Sequence, residues 1–107
     1  MTTFIEVHWT SGSIEEARQV SRYLVQEQLV ACAQIIPSIE SFYMWNNQLE
    51  TALESKVVFK TRLEKFEKIK EAILKNCSYQ IPEITYQVIQ DGNREYLEWL
   101  KTSIPDF

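Results

Sequence analysis

The fold is decided by one stretch, Ala31–Asn47, which reads ACAQIIPSIESFYMWNN. Its part up to Trp45 reads as one long strand, because β-branched and aromatic residues alternate between the two faces. Pro37 cannot donate a backbone hydrogen bond and therefore marks an edge strand or a bulge. The pair that ends the stretch, Asn46-Asn47, suits a tight hairpin because Asn tolerates positive φ. We therefore predict a long hairpin in which Leu49–Thr61 returns as the partner strand.

Two segments with helical spacing flank this hairpin. Ser13 stands three residues before Glu16, which is the spacing of a capping box, and the following apolar residues predict a helix that ends near Gln28. Thr61 and Glu64 repeat this spacing, and the helix after them is predicted to end near Asn76.

The remaining segments complete an α+β order. Phe4–Thr10 is predicted to be the first strand and Ile84–Ile89 the last, and a short helix capped by Asn93 follows. The order strand, helix, strand, strand, helix, strand is the ferredoxin-like split βαβ order. We therefore predict one domain over residues 1–107, with an antiparallel sheet, both long helices on one face and an extra C-terminal helix.

The composition excludes several classes of partner. The 107 residues carry a net charge of −4, and the basic side chains are spread among acids, which argues against nucleic acid and anionic membranes. The longest apolar run, Leu29–Ala33, is far too short to cross a membrane, and the N-terminus lacks the pattern of a signal peptide. We therefore expect a cytoplasmic protein with two free thiols.

The sequence lacks the usual catalytic patterns. Its two glycines, Gly12 and Gly92, are too far apart for a glycine-rich phosphate loop. The single histidine, His8, excludes a two-histidine metal motif, and its place in a strand favours a packed or solvent-facing residue over a catalytic base. We predict that the protein is not an enzyme.

The loop Cys77–Glu83 is the most polar candidate site. Cys77 follows a helix and is expected to be accessible, either as an incidental thiol or as a soft metal ligand. Cys32 lies in an apolar strand and is expected to be a small buried residue, with the same ligand role as the alternative. The spacing of the two cysteines does not match a structural zinc site.

Lys60 and Glu83 are a second candidate pair. Lys60 ends the apolar run Val57–Phe59, where a cation needs water or a counter-charge. Glu83 follows Pro82, which constrains the residue before it and so sets the angle at which the last strand begins. We predict that the two side chains share a pocket with Tyr79; the alternative is that Glu83 faces solvent.

Several short motifs, taken together and in order, resemble the CutA family of divalent-cation tolerance proteins. The family motif His-Pro-Tyr-Glu-x-Pro-Glu corresponds here to Cys77–Glu83, where Tyr79, Pro82 and Glu83 match and the other fixed positions differ. The further matches are Leu29–Cys32, Ser41, Tyr43, Trp45, Lys60, Thr61, Tyr96 and Trp99.

The resemblance implies a homotrimer similar in plan to PII signalling proteins, with pockets at the subunit interfaces. It implies a ligand pocket formed by Trp45, Lys60, Tyr79 and Glu83, and a role in binding copper or other divalent ions. The metal candidates are Cys77, which stands where the family has histidine, and Cys32. Because thiolate is softer than imidazole, Cu(I) or Zn(II) would be preferred, and no obligatory cofactor is expected. The alternative is a PII-like regulatory or scaffolding trimer that binds a small ligand or partner protein without a physiological metal.

Overall fold

The computed structural model describes residues 2–106 and has the predicted α+β order. The elements are β1 (Phe4–Ser11), α1 (Ile14–Gln26), β2 (Cys32–Trp45), β3 (Gln48–Arg62), α2 (Phe66–Asn76), β4 (Ile84–Val88) and α3 (Arg94–Ser103). A single 3-10 turn, Leu63–Lys65, leads into α2. No helix within the described residues is long and apolar enough to cross a membrane.

The strands form one antiparallel sheet in the order β2-β3-β1-β4. β2 and β3 make the predicted hairpin, whose register runs from Cys32 opposite Lys60 to Trp45 opposite Gln48. β1 lies between β3 and β4, so the crossover helices α1 and α2 each connect strands that are consecutive in sequence but not neighbours in the sheet. The prediction of a ferredoxin-like antiparallel sheet is confirmed.

One face of the sheet, which we call the inner face, packs against α1 and α2. Its buried residues include Trp9 and Phe59, whose rings stack with centroids 6.3 Å apart. The helices contribute apolar side chains at helical spacing, which completes a single core. The core residues are Ile5, Val7, Trp9, Ala17, Val20, Leu24, Leu29, Val30, Val57, Phe59, Ile69 and Ile73.

The extra C-terminal helix contacts the opposite, outer face of the sheet. Cys32 is in register with Lys60, whereas the next pair, Ala33 and Phe59, points into the core. Cys32 therefore lies on the outer face, and its Sγ is 3.9 Å from Tyr96 Oη of α3. This places α1 and α2 on one face, as predicted, and brings α3 to the other.

The turn and the bulge of the hairpin follow from its Asn and Pro residues. Asn46 and Asn47 have φ of 52° and 63°, the left-handed conformation that Asn tolerates. Between Ile36 and Ile39 the register shifts, and Ser55 Oγ donates a hydrogen bond of 3.0 Å to the carbonyl of Pro37. Pro37 thus lies both on an edge strand and in a bulge, so both readings of this residue are confirmed.

The structure forms half of the first predicted capping box and none of the second. The Ser13 side chain accepts from the backbone N–H of Glu16, as predicted, but the Glu16 carboxylate binds elsewhere. The second box is wrong, because β3 continues through Thr61 to Arg62. Thr61 is fully buried and its hydroxyl donates to the Leu29 carbonyl at 2.6 Å, so a tertiary contact takes the place of the cap.

Beyond the bulge the hairpin forms an arm that extends past the core, and the molecule measures 45 × 25 × 21 Å. On one face of this arm, apolar side chains are 64–72% exposed, namely Phe42, Met44, Leu49 and Leu53. We call these four residues the apolar arm face. Tyr43 and Trp45 alternate with them and point to the opposite side of the arm.

Candidate functional site

A cleft of about 610 Å³ lies between the arm and the loop after α2. Carboxylates, aromatic rings and hydroxyl groups line it, and none of the lining side chains is basic. The lining residues are Thr10, Ser41, Phe42, Tyr43, Trp45, Glu50, Glu54, Tyr79, Gln80, Ile81 and Glu83. We call this space the arm cleft.

Tyr79 closes the base of the arm cleft. Its hydroxyl donates a hydrogen bond of 2.6 Å to Glu54 Oε2. Burial and the neighbouring Glu54 carboxylate raise the pKa of Tyr79, so the phenol stays protonated and remains a donor. The ring lies against Gly12, where an added Cβ would stand 2.7 Å from Tyr79 Cε1, so only glycine leaves room for the ring.

Glu16 fixes the start of the same loop. Its Oε1 accepts from the backbone N–H of Ser78 at 2.9 Å, and its Oε2 accepts from Ser11 Oγ at 2.8 Å. One carboxylate in the first turn of α1 thus ties the loop to the end of β1. This arrangement explains why the second half of the predicted capping box does not form.

Glu83 ends the loop and is held in its charged form. Its carboxylate accepts hydrogen bonds from Thr10 Oγ1 at 2.9 Å and from Lys56 Nζ at 3.5 Å. Burial by itself raises the pKa of Glu83, but the Thr10 hydroxyl, the Lys56 charge and the Thr85 hydroxyl outweigh it and lower the pKa below its ordinary value of 4.5.

The predicted ion pair between Lys60 and Glu83 does not form within the subunit. Lys60 Nζ donates to Gln34 Oε1 at 2.6 Å, and Lys60 is not among the residues that line the arm cleft. The lysine that pairs with Glu83 is instead Lys56. Lys56 lies four residues before Lys60 on β3, which is about 13 Å along the strand. The pattern around Lys60 indicated a cation at a strand end, but the register of β1 with β3 selects Lys56, which lies opposite Thr10.

The structure brings the other three predicted pocket residues together. Trp45, Tyr79 and Glu83 all line the arm cleft. Sequence reasoning missed Thr10, Glu50 and Glu54. Counting the hairpin register back from Asn46-Asn47 places Glu50 opposite Tyr43 and could have found that carboxylate. The same count places Glu54 opposite Ile39, just before the register shift, and could have found that carboxylate too.

The two cysteines lie on opposite sides of the sheet. Cys77 follows α2 directly, packs against the core and has its Sγ 3.9 Å from the Tyr79 carbonyl, whereas Cys32 contacts Tyr96 on the outer face. Both side chains are half-buried, so the expected contrast between an accessible Cys77 and a buried Cys32 is wrong. Within residues 2–106 no three His, Cys, Asp or Glu side chains group closely enough to hold a metal ion.

His8, the only histidine of the sequence, contacts a side chain of its own strand. His8 lies on the outer face of β1, and its Nε2 is 3.3 Å from Glu6 Oε1. The expected strand position is confirmed, and its contact is with a carboxylate two residues away in the same strand.

Comparison with known proteins identifies the relatives of this chain. The family model described as "CutA1 divalent ion tolerance protein" matches residues 5–103. The divalent-cation tolerance protein CutA of Thermus thermophilus is 39% identical over 92 residues, which cover 86% of this chain and 89% of that protein. A chloroplastic CutA 1 of Oryza sativa is 35% identical over 99 residues, or 92% of this chain.

Solved structures of relatives have the same fold. CutA1 from Oryza sativa superposes with a TM-score of 0.94 at 33% identity and covers 98% of this chain and 96% of its own. The Thermus thermophilus protein gives 0.91 at 36% identity and covers 95% and 99%. The chain spans about half the length of the plant relatives it matches, 56% in Oryza sativa.

Proposed function

The chain belongs to the CutA1 divalent ion tolerance protein family, and we propose that it serves divalent-cation tolerance as a homotrimer that binds cations in the arm cleft. The observation that carries this proposal is the charge of the cleft. Three carboxylates line it, those of Glu50, Glu54 and Glu83, and Lys56 pairs with only the last of them, so the cleft keeps a net negative charge. Because like charges in one cleft attract counter-ions, this surface is suited to a cation.

Assembly follows from the apolar arm face. A contiguous apolar patch on an exposed arm is unusual for a monomer and typical of a subunit interface. The hairpin also leaves β2 as an edge strand, which favours pairing with another chain. We therefore infer that copies of the arm pack against one another, and that the trimer implied by the resemblance is the assembly.

Assembly would also complete the cation site. A tightly bound transition metal usually needs about four protein or water donors in a closed geometry. The described residues of one subunit offer carboxylates along the arm cleft, but no group of three that could close around an ion. We therefore propose that the neighbouring subunit supplies the missing donors.

Isothermal titration of the trimer with Zn²⁺, Cu²⁺ and Mg²⁺ tests the cation proposal. The affinity series for nitrogen and oxygen donors places Cu²⁺ first, and we expect Mg²⁺ to bind most weakly. We expect Glu83→Gln to weaken binding, whereas Glu27→Gln, which changes an exposed acid outside the cleft, should not. Equal binding by wild type and Glu83→Gln would contradict the proposal.

The cysteines are tested separately with Cu(I) under reducing conditions. If a thiolate contributes a soft-metal site, Cys77→Ser should weaken Cu(I) binding more than it weakens Zn²⁺ binding. Cys32→Ser tests the second candidate thiolate separately, because Cys32 lies on the other face of the sheet from Cys77. Unchanged Cu(I) binding by both variants would exclude the thiolates and leave the carboxylate proposal intact.

A specific observation also favours the second candidate, a PII-like trimer that binds a small molecule without a metal. The cleft volume of about 610 Å³ lies within the range of small-molecule sites, and aromatic rings form one wall. Retention of an organic ligand by the purified trimer, with no metal bound, would favour this candidate.

Catalysis and location are further parts of the proposal. We propose that the chain binds and does not catalyse, because Glu83 is engaged by Thr10 and Lys56, and His8 contacts Glu6 away from the cleft. The cytoplasmic location remains a prediction, since a relative from Archaeoglobus fulgidus is described as periplasmic and the plant relatives as chloroplastic. Cell fractionation with an antibody against the chain would test it.

A further inference from the structure

Glu54 is a buried carboxylate without a counter-charge. Its residue is 8% exposed, and it lines the arm cleft. Within residues 2–106 its one hydrogen-bond partner is the neutral Tyr79 hydroxyl at Oε2, and it forms no ion pair. A buried anion that lacks a cation is costly, so the second carboxylate oxygen is suited to a positive group that enters from the cleft.

The other charges of the cleft do not supply this cation. Lys56 pairs with Glu83, with Nζ and Oε2 3.5 Å apart. Glu50 lies opposite Tyr43 on the exposed part of the arm and has no ion-pair partner among the described residues. Two carboxylates therefore remain for a ligand, one buried and one near the tip. An anionic ligand would meet repulsion from both.

The wall of the cleft is aromatic. Tyr43 and Trp45 are two residues apart and therefore lie on the same face of β2, where they are 42% and 45% exposed. Half-exposed rings beside carboxylates attract organic cations for two reasons. The negative face of the ring attracts the charged group, and the ring also packs against the apolar part of the ligand. A bare metal ion gains little from such a wall, and no closed donor set surrounds it in the subunit.

We propose that the arm cleft binds an organic cation, a primary ammonium or guanidinium group attached to a flat apolar body. The charged head lies at Glu54, and the body lies against Tyr43 and Trp45. This inference rests on the proposed function in one respect, that the arm cleft is the binding site, and it names the ligand class. The same carboxylates disfavour small anionic ligands.

The experiment is calorimetric titration of the full-length trimer with two matched probes. Tryptamine carries an ammonium group on an indole, and indole-3-propionate carries a carboxylate on the same ring. We expect tryptamine to bind and indole-3-propionate to bind at least about tenfold more weakly, because only the first complements the carboxylates. Equal binding of the two probes, or binding of neither, would overturn the proposal.

Variants locate the bound probe. Glu54→Gln should weaken tryptamine binding about tenfold, as expected when one partner of a partly buried charge pair is neutralised. Glu50→Gln, on the exposed arm, should weaken it less and serves if Glu54→Gln folds poorly. Trp45→Leu should weaken tryptamine binding without changing the oligomer, and Glu27→Gln should leave it unchanged. Full tryptamine affinity in both Glu54→Gln and Glu50→Gln would overturn the proposal.

A parallel titration with Zn²⁺ alone separates the two proposals. Zn²⁺ binding that depends on Glu83, without tryptamine binding, would leave the cation-tolerance proposal standing and overturn the organic-cation inference. Tryptamine binding that depends on Glu54, without Zn²⁺ binding, would do the reverse.

Discussion

Gly12 shows how a single missing side chain shapes the arm cleft. A Cβ at this position would lie 2.7 Å from Cε1 and 2.9 Å from Cζ of the Tyr79 ring. The ring cannot move freely, because its hydroxyl is bonded to Glu54. We expect Gly12→Ala to lower the free energy of unfolding by about 1–3 kcal/mol, the range for overpacking, and to break the Tyr79–Glu54 hydrogen bond.

Gly92→Ala is the matched control. There an added Cβ would lie 3.7 Å from Leu97, which is an ordinary contact, and neither glycine has positive φ. Urea unfolding measures both variants. Equal stability of Gly12→Ala and Gly92→Ala would show that the Tyr79 ring is not held against Gly12.

The stability that Glu83 contributes to the fold depends on pH. Thr10 and Lys56 hold the pKa of Glu83 in the folded state below 4.5. The charged Glu83 carboxylate therefore contributes stability at pH values above its unfolded pKa, and this contribution is lost as the pH falls through the folded pKa. The side chain is 43% exposed, so we expect only about 0.2–1 kcal/mol. The difference in unfolding free energy between wild type and Glu83→Gln should shrink between pH 6 and pH 3. A constant difference over this range would contradict the role of the charge.

At the scale of elements, the hairpin turn depends on two residues in the left-handed conformation. Asn46 and Asn47 have φ of 52° and 63°. A left-handed alanine costs roughly 1–2 kcal/mol, whereas glycine adopts it without that cost. We therefore expect Asn47→Ala to lower the unfolding free energy by about 1 kcal/mol and Asn47→Gly to leave it unchanged or raise it. Thermal unfolding of the two variants measures this, and greater stability of the alanine variant would argue for a different turn.

How far sequence predicts each element depends on whether local or tertiary contacts decide it. The hairpin, the helix after Ser13 and the helix capped by Asn93 follow from local patterns, and the structure has them. The cap at Thr61 fails because a buried hydrogen bond to Leu29 outweighs a local one. The Lys60–Glu83 pair fails because the register of β1 with β3 and β4 brings Lys56, and not Lys60, to Glu83. The charge of the arm cleft is likewise a product of register and is absent from any single motif.

At the scale of the whole molecule, the apolar arm face carries the prediction of assembly. Phe42 and Leu53 are 65% and 72% exposed in the single subunit. A charge placed in a buried interface is destabilising, so we expect Leu53→Glu to dissociate the oligomer. Leu74→Glu, at an exposed leucine of α2 that is not part of the apolar arm face, is the control and should not. Sedimentation equilibrium reports the mass, and an unchanged oligomer in Leu53→Glu would exclude the arm from the interface.

Native mass spectrometry of the chain purified from its own cells tests most directly the claim that it works as a cation-binding homotrimer. It reports the oligomer mass and any retained ion or ligand in the same spectrum. We predict a species of three times 12.7 kDa that carries additional mass from a metal ion or an organic cation. A monomer of 12.7 kDa at every concentration, with nothing bound, would contradict both the assembly and the site.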